Sequence, residues 1–309
     1  MKTVLITGGA GYIGSELISE FIDDHVVFVY DSLLYDKTSL LRYCGHPNFR
    51  FVRGDVRDHA HVNKYLNKAD IIIPLAALVG FPLCLKNPQE AKDVNQEAIR
   101  NIVIHKSKDQ IILYPNSNSG YGTTDGTSIC TEQTPMNPIS IYGQTKLEAE
   151  KIVCSKEGFV GFRLATVFGA SSRMRTDLLV NNLVLKAIQD KVLVLYESQF
   201  MRNYVHIKDI CRAFRFATDN WNNCKNEIYN VGNDSLNCSK MDLVRTINKH
   251  IPVEIIKAAY AVDPDSRNYI VSSQKFYNKG FACKYTLEDG IEDLMQAYSM
   301  IDNPVFANY

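Results

Sequence analysis

The sequence predicts an α/β fold, a doubly wound parallel sheet with a smaller mixed α/β unit behind it. Two observations carry this. Short apolar runs recur without in–out alternation, separated by helical stretches, as expected of strands buried on both faces. A glycine-rich segment also sits between the first strand and the first helix. Taken in order, Val4-Leu5-Ile6 reads as a buried strand, 14–22 as a helix and 26–30 as the second strand. Strands follow at 49–52, 71–73 and 111–114, with helices over 59–66 and 90–105 between them. A longer helix over 140–157 and a strand over 160–164 close this half. Beyond Phe168-Gly169 the character changes, with Arg173, Arg175, Asn181 and Asn182 clustered ahead of a helix and a turn-rich 230–234.

Composition limits the function. The 309 residues carry 34 Lys+Arg against 34 Asp+Glu, a formal net charge of zero, so no global field draws in nucleic acid or an anionic membrane. Any anion must be held by a few local cations. The longest uncharged run, 71–85, is too short for a bilayer span and is broken by Pro74, Gly80 and Pro82. The first apolar stretch is too short for a signal-peptide core. The eight cysteines are scattered with no Cys-x-x-Cys pair, which reads as free thiols in a reducing compartment and predicts a cytoplasmic protein. His59 and His61 stand two apart, but such a pair diverges on a helix and no third ligand lies nearby, so no metal is expected.

Thr7-Gly8-Gly9-Ala10-Gly11-Tyr12-Ile13-Gly14 satisfies G-x-G-x-x-G directly after a strand and opens a helix. Glycine allows the tight turn and close backbone approach to a pyrophosphate, while Gly8, Gly11, Tyr12, Ile13 and Gly14 bring helix-terminal N–H groups to it. Asp31 ends the second strand at the spacing of a ribose-binding acid. A carboxylate accepts from both ribose hydroxyls and repels a 2′-phosphate, and no Lys or Arg follows before Lys37, so NAD is favoured over NADP.

Tyr142-Gly143-Gln144-Thr145-Lys146 places a phenol and an amine on one helix face. A tyrosine needs help to act as a base at neutral pH, and a nearby ammonium stabilises its phenolate. Tyr204 and Lys208 share the spacing, but 204–208 alternates like a strand, whereas Tyr142 begins the helix after the fifth strand. Ser117 falls just past that strand's C-terminal end, the edge where open α/β sheets bind ligands.

These segments resemble the extended short-chain dehydrogenase/reductases that act on nucleotide sugars. Further matches are Gly54-Asp55-Val56-Arg57-Asp58, Leu75-Ala76-Ala77, 117–122, Arg163 to Gly169 and Arg202 to Asp209, in family order across nearly the whole chain. The resemblance implies a Rossmann domain over 1–168, with 202–220 returning to it, and a nucleotide-sugar-binding domain over 169–201 and 221–309. It implies Asp55 and Val56 at the adenine, Leu75, Ala76 and Ala77 against the ribose, and Lys146 on the nicotinamide ribose. Ser117 and Tyr142 would contact the sugar hydroxyl being oxidised. Asn118, Asn182, Arg202 and Arg267 would anchor the substrate, with Arg173 and Arg175 as further contacts. Guanidinium forks suit pyrophosphate oxygens. His206 resembles a structural histidine. Homodimers through helices near 95–105 and 142–154 are usual in the family.

The related 4,6-dehydratases place an Asp-Glu pair after the serine position, and the fucose-synthase type places a cysteine where Ser119 stands. Here Asn118 and Ser119 offer neither, which disfavours dehydration. Hydride chemistry at C4 remains, as dehydrogenase, 4-epimerase or 4-ketoreductase. A non-catalytic dinucleotide sensor would lack the tyrosine–lysine pair. The runs 75–82 and 173–178 are similar to a subgroup tied to surface-polysaccharide synthesis, which implies a GDP-linked rather than a UDP-linked sugar.

Overall fold

The computed structural model describes residues 1–35, 38–258, 267–301 and 306–308. Lys37 and the Asp263–Ser266 run that precedes Arg267 lie outside the described residues. The chain opens with β1 (Lys2–Thr7), α1 (Tyr12–Leu17), β2 (His25–Asp31), β3 (Phe49–Arg53), α2 (His59–Leu66) and β4 (Ile71–Pro74). Next come α3 (Phe81–Lys86), α4 (Pro88–Lys92) and α5 (Ala98–His105), the last two joined by a π turn at Asp93–Glu97. Then follow β5 (Ile111–Ser117), β6 (Ile129–Cys130), α6 (Ile141–Cys154), β7 (Phe159–Leu164), β8 (Thr166–Phe168), α7 (Leu179–Gln189), β9 (Val192–Leu195) and β10 (Met201–His206). The remainder is α8 (Ile207–Asp219), α9 (Trp221–Cys224), β11 (Glu227–Val231), β12 (Asn233–Ser239), α10 (Lys240–His250), β13 (Glu254–Lys257), β14 (Ile270–Val271), α11 (Gln274–Tyr277) and α12 (Leu287–Ser299).

Seven parallel strands form the central sheet in the order β11-β7-β5-β4-β1-β2-β3, the doubly wound topology expected from the sequence. β1 shows why its sequence does not alternate. Val4 and Ile6 enter a core with Leu17, Phe21, Phe162 and Phe214, while Leu5 enters the opposite one with Ile72, Ile102, Tyr114 and Val153. Both faces are covered, so both side-chain sets are apolar. A third core, around Phe168, Val184, Tyr204, Leu243 and Leu294, holds α7, α10 and α12 together with β8 and β10. Strand order reverses between β1 and β4, and ligands of such sheets bind beyond the strand ends at that switch.

Several boundaries differ from the sequence reading. The fifth strand runs on to Ser117, making that residue its last rather than one beyond it. The helix read over 140–157 is shorter than that. Ser140 caps it, its Oγ accepting from the Gly143 N–H at 3.1 Å, and the helix ends at Cys154. The strand read at 204–208 stops at His206, whose Nδ1 accepts from the Lys208 N–H at 3.2 Å and so starts α8. β10 pairs with β8 and β12 in a separate three-stranded sheet, while its Val205 and, from α8, Ile210, Phe214 and Ala217 return to the central core. β11, inside the segment assigned to the second unit, is hydrogen-bonded to β7 and forms an edge of the central sheet. Among the described residues, no helix is long and apolar enough to cross a membrane.

Candidate active site

A cavity of about 630 Å³ opens beyond the C-terminal ends of the central strands, facing the second unit. Its floor is the glycine turn. Gly8 sits at φ +71°, and a Cβ built there would lie 2.5 Å from the Ala76 N. A Cβ on Gly14 would lie 2.5 Å from the Gly9 Cα, so the helix start packs directly on the turn. Gly8, Gly11, Tyr12, Ile13 and Gly14 all line the cavity. Asp31 organises this floor. Its Oδ2 accepts from the Ala10 N–H at 2.9 Å and its Oδ1 from the Leu33 N–H at 2.7 Å. Burial raises its carboxyl from the ordinary range, and those two N–H donors draw it back. Each oxygen keeps a lone pair for a ribose hydroxyl.

Asp55 and Val56 line the cavity too. Arg57 chelates Asp55, Nη2 to Oδ2 at 2.6 Å, and reaches Glu90 at 3.1 Å. That guanidinium holds the Asp55 carboxyl below its usual range. Leu75, Ala76 and Ala77 complete this wall. The loop after them is fixed by Asn95, a residue the sequence did not single out. Its Oδ1 accepts from the Leu78 N–H at 2.8 Å, and its Nδ2 donates to the Leu78 carbonyl at 3.0 Å and to the Thr145 hydroxyl at 3.2 Å. Asn95 lies in the π turn and ties the cofactor wall to α6.

Ser117, Tyr142 and Lys146 meet at the far end. The Ser117 Oγ accepts from the Ser119 N–H at 3.2 Å, capping the turn at Asn118–Tyr121. Burial pushes the Tyr142 phenol up to about 12; the charges of Arg175 and Arg267 and hydrogen bonding by Ser117 oppose it. Lys146 corrects the picture of a permanently charged amine. Its Nζ lies 4.4 Å from the centre of the Tyr114 ring, and burial brings it down to about 7 against the pull of Glu150. The cations that oppose the phenol's rise are therefore Arg175 and Arg267.

The second unit contributes the remaining predicted residues. Arg202 and Arg267 line the cavity, as do Arg173, Arg175 and Asn182. The Arg173 guanidinium lies 5.1 Å from the centre of the Tyr35 ring, which also lines the cavity. Arg175 is not a bare cation, because it makes a buried two-point pair with Asp177. The Asn182 Nδ2 donates to the Thr176 carbonyl at 3.0 Å. Asn118 departs from expectation. It is 1% exposed, does not line the cavity, and neither of its amide atoms has a hydrogen-bond partner in the protein, whereas Ser119 does reach the cavity. Tyr35, Asp177 and Asn308 also line the cavity and were not anticipated; their residue types carry no local pattern.

The turn, the Asp31 carboxylate and the phenol–amine pair fit a dinucleotide laid across the switch point. Fold and site together define an NAD-dependent enzyme. The NAD dependent epimerase/dehydratase family matches residues 4–232, and the chain belongs to that family. It is 25% identical to a low-salt glycan biosynthesis protein of Haloferax volcanii, over 96% of this chain and 98% of the relative. It is 27% identical to a UDP-glucose 4-epimerase of Lactobacillus helveticus, over 85% and 87%. Among solved structures, a dTDP-glucose 4,6-dehydratase from Bacillus anthracis in complex with NAD matches with a TM-score of 0.85 at 22% identity, over 97% of each chain. That last likeness is one of fold.

The Asp31 geometry gives a direct expectation. Asp31→Ser removes the carboxylate whose remaining lone pairs would take a ribose hydroxyl, a charge-assisted interaction worth about 1.5–3 kcal/mol. NAD affinity should fall about tenfold or more while NADP affinity holds or rises, read by fluorescence titration of both cofactors. An unchanged preference would remove Asp31 from the ribose site.

Proposed function

We propose that the protein oxidises a nucleotide-diphosphate sugar at C4 with NAD, for synthesis of a surface polysaccharide. A GDP-linked sugar of the manno-heptose type is the favoured substrate, which makes the protein a GDP-manno-heptose 4-dehydrogenase. The carrying observation is that Ser117, Tyr142, Lys146, Arg202 and Arg267 line one cavity, with the Tyr142 phenol hydrogen-bonded to Ser117 and under the charge of Arg267. Arg202 and Arg267 hold the diphosphate, which sets the sugar ring over Ser117 and Tyr142. Bound NAD supplies the hydride acceptor and a positively charged ring beside the phenol. Tyr142 takes the proton from O4, and the Ser117 hydroxyl donates to that oxygen as the carbonyl forms. Lys146 holds the nicotinamide ribose and supports the phenolate when protonated. Ser119 is a neutral hydroxyl, without the acid needed to expel a hydroxyl from the sugar. The reading includes a cytoplasmic homodimer packed through α5 and α6.

Incubation with NAD and a panel of GDP- and UDP-linked sugars tests this. The expected result is a 4-keto sugar by mass spectrometry with matching absorbance of NADH, strongest for a GDP-linked sugar. The 27% identical 4-epimerase favours a second reading, in which hydride returns to the opposite face. That reading expects a C4 epimer and no net NADH. If no sugar in the panel changes, C4 oxidation is wrong.

A further inference from the structure

Behind the phenol–amine pair, away from the cavity, lies a buried polar cluster that the proposed reaction does not use directly. Glu150 stands one helical turn beyond Lys146 on α6 and is 4% exposed. Arg163, from β7, grips it at two points, Nη2 to Oε1 at 2.8 Å and Nε to Oε2 at 3.1 Å. Asn116, from β5, donates through its Nδ2 to the Glu150 Oε2 at 2.5 Å. The other end of the same amide, Oδ1, accepts from the backbone N–H of Ser117 at 2.8 Å. Arg163 is itself braced by the Tyr121 hydroxyl and the Glu132 carbonyl, both at 3.1 Å. Three elements, α6, β5 and β7, are thus joined at one carboxylate.

A buried ion pair of this kind yields little net stability, because losing water costs both ions nearly what their attraction returns. Its position says more. The charge of Glu150 opposes the loss of the Lys146 proton, and Asn116 connects that carboxylate to the backbone bearing Ser117. We propose that Glu150, clamped by Arg163 and Asn116, is a positioning residue that sets the charge of Lys146 and the placement of Ser117 together. One carboxylate thereby matches the amine that supports the phenolate to the hydroxyl that contacts the same oxygen. The proposal rests on the reading of Ser117, Tyr142 and Lys146 as the catalytic set.

The other groups around the cluster do not supply this charge. Tyr114 on β5 presents its ring to the Lys146 amine, and burial holds its hydroxyl protonated. Tyr142, on α6 itself, is protonated at neutral pH for the same reason. The Cys154 thiol, at the end of α6, is raised to about 11 by burial and by Glu150. The π turn packed against α6 offers the uncharged Asn95 to Thr145. Arg163 is the cation on Glu150 and offsets part of its charge.

The sign of the effect follows. With the carboxylate removed, desolvation of Lys146 goes unopposed, its amine loses its proton at lower pH, and less ammonium remains at neutrality. The test is Glu150→Gln, which keeps shape and removes charge. Competitive acetylation of the cofactor-free protein across pH, read by peptide mass spectrometry, reports the Lys146 midpoint, near 7 in the parent. In Glu150→Gln it should fall by about one pH unit, and the alkaline limb of kcat should move down with it. KM for the sugar should hold. Glu150→Asp, which keeps the charge but shortens the clamp, should restore the midpoint while kcat stays low. A folded Glu150→Gln protein with an unmoved midpoint and an unmoved limb overturns the proposal. Should that variant not fold, Asn116→Ser decides alone. It spares the Glu150–Arg163 pair, and kcat should fall about tenfold with the Lys146 midpoint unchanged, as for a lost oxyanion contact of modest size; an unchanged kcat overturns the proposal. The midpoint is read without cofactor or substrate, so its failure is distinct from failure of the catalytic reading, which shows as turnover surviving Tyr142→Phe.

Discussion

Tyr142→Phe is expected to turn over nucleotide sugar about a thousandfold more slowly than the parent, in the middle of the range for removal of a general acid–base group. The substitution deletes one oxygen and leaves the ring, which packs against the core that includes Tyr114 and Val94. Stability and NAD binding should therefore hold, by thermal melt and fluorescence titration. The pH dependence separates the roles. Burial raises the phenol to about 12, with Arg175, Arg267 and Ser117 pulling it back, so the parent rate should climb with pH as the phenolate forms. The bound cofactor's positive ring and the Lys146 ammonium shift that limb toward neutrality. The Phe variant should keep a small residual rate and lose the rising limb. Retention of even a tenth of the parent kcat would mean that the proton leaves by another route.

Much of this site could be read from the sequence because its parts are local. The glycine turn needs particular residues at fixed spacing between one strand and one helix, and Asp31 is one strand length further on. Tyr142 and Lys146 share a face for reasons of helical period alone. The doubly wound sheet showed through because β1 faces a core on each side, which forces both side-chain sets to be apolar. What depends on distant contacts did not show. The run Ile228 to Val231 looks the same whether it joins the central sheet or another, and only its pairing with β7, a strand more than sixty residues earlier, ties it in place. Asn118 neighbours Ser117 in sequence, yet the short helical turn directs it away from the cavity. Asn95 and Glu150 look like ordinary polar positions of amphipathic helices, since burial and distant partners give them their roles, Thr145 at 50 residues from Asn95 and Arg163 at 13 from Glu150. The same blindness applies to Lys146. Spacing locates the amine, but burial sets its titration.

The glycine turn supports a second large effect, in which two neighbouring substitutions should fail differently. Gly8→Ala places a side chain at φ +71°, where L residues are strained by about 1–2 kcal/mol. The new Cβ also meets the Ala76 backbone at 2.5 Å, and that backbone is held between β4 and the Asn95 clamp. Neither side can yield cheaply, so overpacking adds about 1–3 kcal/mol. The variant should melt about 5 °C or more below the parent and lose measurable NAD binding. Gly11→Ala is a different case. Gly11 has φ −78°, ordinary for any residue, and its Cβ would approach only the Gly8 carbonyl oxygen, at 3.1 Å. Its fold should survive with a nearly unchanged melt. The methyl instead stands where the pyrophosphate must reach the N–H groups of the turn, and each such bond to a charged oxygen is worth about 1.5–3 kcal/mol. NAD affinity should fall by about tenfold to a hundredfold per bond lost, while nucleotide-sugar binding through the second unit persists. Calorimetry with NAD and with a GDP-linked sugar measures both. If Gly11→Ala binds NAD as the parent does, the cofactor's phosphates do not lie on this turn, and the orientation that puts nicotinamide at Tyr142 fails with it.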